Sequence, residues 1–600
     1  MLVSIAEQSE AQDVRSAKLS PAVSGSPIIF GDCCGTFDAP TQPGAVGVVL
    51  CPGLLNDACT AYRSFRLIAA ALAAAGYPAL RFDYPGTGNA PDTTEPDHLA
   101  VWLRSVADAV DWLRDHAGVR DVVLIGFRFG ALLAAAAAAG REDIVGLVLL
   151  QPFLRGRAFI RQVAIEVSMN QGGERQGAAL SLLDLDLGAE TQEKISALDL
   201  RRVAPAPHCG AAIFAESSSP GLSEVLASWR DSGVRVEQLG FDGLEALMRP
   251  AFMCHEPSAD VGRIVGCVAA LAPQQPVGGL LPVRRDTPIL SLSGCVEEPL
   301  RFGPDGRLFG ILCRPAPPVR MRDQAVILVN SSGNPSHGFA RLAVRLARRL
   351  ASNGVASFRI DFAGLGDSLA EGDAETHCFA TDRTDDVRHA VDFLVEQGYG
   401  RFAIQGLCSG AYHAFHAALA DGRISDLFLL NMPLFQWREG DPVEFLDHAI
   451  QSPAQFLPKL FTVDIWKRIL SGELGLGERL KMQLIWCYGW AMATVRRAGA
   501  LVGLDLAPGF PLRSMRTLSA RARTFFVQSP GDESVAMLRQ TFGDPPRAPG
   551  AVFEVMAGAD HAFTAPGMQR DLADRILFAL GGKISSPPAP EAAEKVTVPG

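Results

Sequence analysis

Cys408 stands between two glycines in Gly406-Leu407-Cys408-Ser409-Gly410, where the mostly apolar run "FAIQ" ends and an apolar, helix-like stretch begins. A nucleophile flanked in this way at a strand-to-helix turn is held out at the apex of a sharp bend. Thiolate sulfur is intrinsically nucleophilic, and a helix N-terminus beside a histidine favours that form. Covalent acyl transfer needs such a histidine to move the proton and an acid to orient it. Two later apolar runs lead into suitable residues: "ARTFFVQSPGDESV" into Asp532 and "AVFEVMAGADHAFT" into His561. Plainer readings stand beside this one. A cysteine in an apolar stretch is usually a small buried residue, and an aspartate after Pro-Gly is ordinarily a turn residue. Glu533 is a second candidate acid, and Ser409 is a rival nucleophile one residue past the apex.

The elements that must position these groups occur twice. "ALRFDYPGTGNA" (Ala79 to Ala90) returns as "SFRIDFAGLGDS" at an offset of 278, and "DVVLIGFRFGALLAA" returns as "RFAIQGLCSGAYHAF" with Gly126 against Gly406. Each half also has an earlier apolar run ending in a glycine loop and a helix pattern, "FRLIAAALAAAG" in one and "ARLAVRLARRLASNG" in the other. Continuous apolar runs alternating with amphipathic stretches indicate a mostly parallel sheet flanked by helices. The expected organisation is a flexible start (1–25), a first α/β domain (26–271), a Pro/Gly-rich linker (272–294), a second α/β domain (295–582) and a disordered tail (583–600).

Composition restricts the function classes. At 600 residues the chain exceeds one core, and 48% hydrophobic with 20% charged residues is a globular balance. A net charge of −10 argues against nucleic acid or an anionic membrane as partner. The twelve cysteines show no CxxC pair and no metal spacing, which fits a reduced, cytoplasmic protein without metal or redox cofactor. The acidic start does not resemble a signal peptide, and the run Gly130 to Gly140 is too short to span a bilayer. The oligomeric state is not legible.

The order of elements resembles the α/β-hydrolase superfamily, in particular its serine aminopeptidase-like branch. "GLCSGA", "SHGFARLAVRLARRLASNG" and "GADHAFT", with "QPFLRGRAFIRQ" and "GFRFGALLA" in the first half, carry a looser resemblance to bacterial hydrolases of exosortase and exopolysaccharide systems. In this superfamily nucleophile, acid and histidine follow in that order at strand ends. The resemblance therefore implies a triad of Cys408, Asp532 and His561. It also implies an oxyanion hole from the backbone N–H of Ser409 and of Ser331 or Ser332 in the loop "NSSGNPSHG". His337, just beyond, is a candidate substrate contact, with surface or capping roles as the plain alternative. His413 and His416 read as packing residues. Dienelactone hydrolases and polyhydroxyalkanoate synthases are similar in placing cysteine at this elbow, although this chain otherwise matches neither.

The first half fails the same test at every position. Arg128 aligns with Cys408, Leu222 with Asp532 and Gly243 with His561. Arginine stays protonated and cannot attack a carbonyl, so a degenerate domain is expected. It either shapes its neighbour or uses Arg128, at a helix N-terminus, to hold a carboxylate or phosphate.

An insertion at about 435–521 reads as a helical cap with Trp437, Trp466, Trp486 and Trp490. Trp486 and Trp490 are candidate substrate contacts for an apolar acyl or polyketide-like group; packing of the cap is the alternative. The expected activity is a cysteine-nucleophile acyl hydrolase or acyltransferase acting on a small-molecule ester or thioester. If the donor is a coenzyme A or carrier-protein thioester, that carrier is part of the substrate. A non-catalytic binding or scaffold protein, and a peptidase or amidase, are the other readings.

Overall fold

The computed structural model describes residues 25–169, 174–176, 179–183, 185–216, 219, 221–241, 243–244, 258–274, 288–369, 378–379, 382–437 and 510–581. The chain forms two mixed, mostly parallel sheets with helices against them. By compactness it divides into a first unit (Met1–Cys378, Asp386–Gly400, Ala562–Gly600) and a second (Phe379–Asp385, Arg401–His561), a division that does not follow the repeat boundaries.

In the first unit the apolar runs form β1 (Ser26–Phe30), β2 (Cys33–Asp38), β3 (Val46–Cys51), β4 (Ala79–Asp83), β5 (Asp121–Phe127) and β6 (Ile144–Leu150). A small antiparallel sheet of β7 (Glu174–Gln176), β8 (Ala179–Leu182) and β9 (Leu185–Leu187) follows, then β10 (Gly210–Phe214) and β11 (Val236–Leu239). The main sheet has the order β1-β2-β4-β3-β5-β6-β10-β11, with β1 and β2 antiparallel to their neighbours and the rest parallel. β3 and β10 are buried along their whole length, which is why they read as unbroken apolar runs. Val49, Leu124 and Leu149 face Trp102 and Phe129 in one core layer; Val48, Ile125 and Val148 share the other with Phe65, Ile68 and Ile264.

The first unit also holds β12 (Leu290–Leu292), β13 (Cys295–Phe302), β14 (Leu308–Pro315), β15 (Ala325–Leu328) and β16 (Ala356–Asp361), in the order β12-β13-β14-β16-β15. The second unit carries β17 (Phe402–Leu407), β18 (Ile424–Leu430), β19 (Arg523–Gln528) and β20 (Ala551–Val555), parallel and in sequence order. The order β13-β14-β16-β15 repeats β1-β2-β4-β3, and β17 to β20 repeat β5-β6-β10-β11.

Two boundaries differ from expectation. Residues 290–292, read as linker, add a strand that pairs with β13, and the Gln274 side chain accepts from Val46 N–H at 3.0 Å, so both ends of that segment are bound. The helix Phe510–Ser519, read as part of the cap, packs on the helix Ser409–Ala420 and on β19, burying Met515 and Leu518. Its apolar side faces the sheet layer. Trp466, Trp486 and Trp490 lie outside the described residues, as do 1–24 and 582–600. Among the described residues no helix is long and apolar enough to cross a membrane.

Candidate active site

β17 is fully buried and ends one residue before Cys408, which takes φ 52°, ψ −118° at the N-cap of the helix Ser409–Ala420. A left-handed φ is strained for any residue but glycine, and it is held here by packing on both sides. A Cβ at Gly406 would sit 2.2 Å from the Gly410 carbonyl oxygen, so strand and helix approach too closely for any side chain there. Cys408 N–H donates to Leu430 at 2.9 Å, anchoring the bend to β18. Cys408 is partly exposed, whereas Ser409 is 2% exposed. The apex residue is therefore the more accessible of the two.

Asp532 caps the helix Glu533–Phe542, its Oδ1 accepting from Ser534 N–H at 2.9 Å and from the Ser534 hydroxyl. Its other oxygen meets His561 Nδ1 at 2.6 Å. Between the two candidate acids, Asp532 rather than Glu533 is the one whose carboxylate meets Nδ1. Burial pushes the Asp532 carboxyl up, but the His561 and Ser534 hydrogen bonds outweigh it and hold the group below its ordinary value. His561 is raised to about 10, first by the hydrogen bond to Asp532 and next by one to the Cys408 side chain. Imidazole and carboxylate are thus in direct contact within the second unit.

Sequence reasoning missed the group that fixes the histidine loop. Asn431, at φ 43° just after β18 and fully buried, donates from Nδ2 to the His561 carbonyl and to Ser529 Oγ, both at 2.8 Å. Its Oδ1 accepts from Ser529 N–H at 2.8 Å, and Ser529 Oγ donates to the Asp560 carbonyl at 2.6 Å. The acid turn and the histidine loop are therefore tied through one amide. The only signal available was a polar residue directly after "ISDLFLL".

Ser331 and Ser332 are in the turn after β15 in the first unit, Ser332 with φ 48°. His337 is 4% exposed and lines a cavity of that unit with Cys59, Tyr62, Arg81 and Asp367. Its Nδ1 lies 2.9 Å from the Gly338 carbonyl, and its ring packs edge-on against Tyr62. His413 is buried and His416 Nε2 contacts the Phe435 carbonyl at 3.0 Å, the packing roles expected of them.

In the first repeat Arg128 occupies the matching bend, with φ 54°, ψ −114°. Its guanidinium is already committed. Nε donates to Asp57 at 3.2 Å, Nη2 donates to Gln162 at 3.1 Å, and the group lies 4.4 Å over the Phe153 ring. A carboxylate of the chain itself thus faces the charge that an anion-holding role of Arg128 would use. Leu222 is 2% exposed at the start of a helix. A Cβ at Gly243 would fall 1.4 Å from Asp260 Oδ2, so that position has no room for a histidine beside this carboxylate.

Residues 47–205 match a family model described as alpha/beta hydrolase fold; the match falls on the repeat that lacks the three groups. No curated protein sequence matches the chain. Solved structures similar to it include an α/β serine hydrolase without lid from Xanthomonas campestris, at 16% identity over 50% of this chain and 99% of that one, TM-score 0.28. Est1E from Butyrivibrio proteoclasticus, with bound ferulic acid, is 17% identical over 36% of this chain and 88% of that one, TM-score 0.26. The esterase Pf2001 of Pyrococcus furiosus is 14% identical over 42% and 94%, TM-score 0.28. Residues 47–205 thus carry the alpha/beta hydrolase fold that the family model describes, and the second repeat has the same strand order and the same elbow.

Proposed function

We propose that the protein is an acyl-transfer enzyme with Cys408 as nucleophile, His561 as proton carrier and Asp532 as the group that orients it. One observation carries the reading: a partly exposed cysteine stands at a left-handed elbow, and in the same unit a histidine Nδ1 lies 2.6 Å from a largely buried carboxylate. The sulfur attacks the acyl carbon of an ester or thioester, forming a C–S bond while the carbonyl π electrons move to oxygen. Collapse of that oxyanion expels the alkoxide or thiolate, which takes the proton held by His561. A water molecule or small nucleophile then loses its proton to His561 as it attacks the thioester, and the product leaves with Cys408 restored. Ser409, first in its helix, has a backbone N–H suited to the oxyanion.

The substrate class follows from the sequence alone. Trp486 and Trp490 in an apolar insertion suit an apolar or polyketide-like acyl group, and a coenzyme A or carrier-protein thioester suits a cysteine nucleophile. The same reading takes the chain as a tandem duplication whose N-terminal copy is non-catalytic, supported by the repeated strand order and by the occupied Arg128 and Gly243 positions.

The test is intact-protein mass spectrometry after brief mixing with a panel of acyl thioesters and activated esters. Wild type should gain one acyl mass, Cys408→Ala none, and His561→Ala an adduct that turns over slowly. An acyl adduct retained in Cys408→Ala, or no adduct and no turnover from any donor, sinks the assignment.

A further inference from the structure

The two repeats touch within the first unit, and they do so reciprocally. The helix Asn56–Ala74, which follows β3, sends Arg66 to the carbonyls of Ser368 at 2.9 Å and Gly364 at 3.2 Å. The helix Leu342–Ala351, which follows β15, is preceded by Arg341, whose guanidinium donates to the carbonyls of Gly86 at 3.0 Å, Gly88 at 2.9 Å and Ala90 at 2.5 Å. At the offset of 278, Gly364 and Ser368 are the equivalents of Gly86 and Ala90. Each repeat therefore uses an arginine in, or just before, the helix after its matching strand, at non-equivalent positions, to hold the same two carbonyls in and just beyond the Gly-x-Gly loop of the other. Contacts in which the same element of each half grips the same element of its mate are the signature of a two-fold, isologous interface.

One part of the interface is unpaired by that symmetry. Asp367 accepts from Arg81 at 2.8 Å and from the Tyr62 hydroxyl at 2.7 Å, with the Arg81 and Asp367 side chains 8% and 4% exposed. Its equivalent, Asn89, carries no charge, and Arg359, the equivalent of Arg81, pairs instead with Glu297 of its own repeat at 2.6 Å. The helix-to-loop grip is shared while the Arg81–Asp367 pair is not, and a different ion pair, Arg341 with Asp92, runs the other way. A second N-terminal copy, with Asn89 in place of Asp367, would leave Arg81 without this partner, so the surface fits the C-terminal repeat.

We propose that the N-terminal repeat is a built-in partner subunit, bound to the C-terminal repeat through a pseudo-two-fold interface in which each clamps the other's Gly-x-Gly loop. This rests on the duplication reading above and is independent of Cys408 chemistry.

Hydrogen exchange followed by mass spectrometry on the full chain tests it without an activity readout. Arg341→Ala should raise exchange in residues 84–92 of the other repeat by roughly tenfold or more, and Arg66→Ala should do the same for 362–368. Arg349→Ala, on the helix that Arg341 precedes but paired with half-buried Asp574, should leave 84–92 unchanged. If Arg341→Ala does not fold, Arg341→Lys serves. Its single ammonium cannot span three carbonyls, and an intermediate rise in 84–92 is expected. Loss of protection confined to the mutated repeat, in either direction, overturns the proposal, whatever Tm does.

Discussion

Cys408 and Arg128 sit in the same bend, with φ and ψ agreeing within a few degrees (52°, −118° against 54°, −114°), yet one is a partly exposed thiol and the other belongs to an ion pair with Asp57. The bend depends on the close strand-to-helix approach at Gly406 and Gly126, where a Cβ would meet backbone at 2.2 Å and 2.4 Å. That packing does not need a nucleophile. The residues after β18 and β6 make the same point. Asn431 and Gln151 both have left-handed φ, 43° and 42°, and both N–H groups donate to the neighbouring strand, to Val527 and Phe214. Only Asn431 reaches a histidine loop, while Gln151 Oε1 is buried without a partner. The backbone of an elbow outlasts its chemistry because it is held by the core rather than by the site.

The largest effect expected from breaking this comparison is at Cys408. Cys408→Ala should cut single-turnover acylation by at least roughly 10³-fold, measured against the best donor of the thioester panel. Placing a cysteine in the other bend, Arg128→Cys, should produce no acyl-enzyme with Cys408→Ala in the background, since Gly243 supplies no base. An adduct on the introduced thiol would mean that the elbow alone suffices. The same substitution strips Asp57 of its partner. Burial, which already raises the Asp57 carboxyl against the pull of Arg128, then acts unopposed. A loss of about 1–3 kcal/mol by denaturant unfolding is expected at this partly exposed pair.

Asn431→Ala should come next. Loosening the His561 loop predicts a fall in kcat of roughly tenfold to a hundredfold with KM little changed, and Gln151→Ala should leave turnover within about twofold. Equal effects of the two would remove Asn431 from the positioning role.

The smallest effect is in the pH dependence of stability. His561 is raised from 6.5 to about 10, so its contribution is full below about 6.5 and is lost as pH rises through 10. Asp532 is lowered, so its contribution is present above its ordinary 3.8 and is lost as pH falls through the lower folded value. The Tm difference between wild type and Asp532→Asn should therefore be widest between about pH 4 and 6.5 and close above about pH 10. A difference constant across that range would show that the pair is not formed.

The repeat, the strand runs and the three residues around the elbow were legible because each is local. β3, β5, β6 and β10 are buried on both faces, and two-sided burial writes itself as an unbroken apolar run. Asp532 was named ahead of Glu533, but only the fold shows its carboxylate against His561 Nδ1, since neighbours in a turn differ in direction rather than in type. Trp486 and Trp490 lie outside the described residues, so their substrate role stands on sequence alone.

By itself the sequence determined that this chain carries the strand order of one fold twice, and that only the second copy holds a thiol, a carboxylate and an imidazole in the right succession. Periodicity and residue type suffice for that, because they record which faces are buried and which groups can exchange protons. Tertiary structure alone decided that Arg128 is neutralised by Asp57, that Asn431 ties the acid turn to the histidine loop, and that Arg66 and Arg341 grip matching carbonyls 278 positions apart. Those outcomes depend on which distant side chains meet at about 3 Å, and no local pattern encodes a distance across the fold.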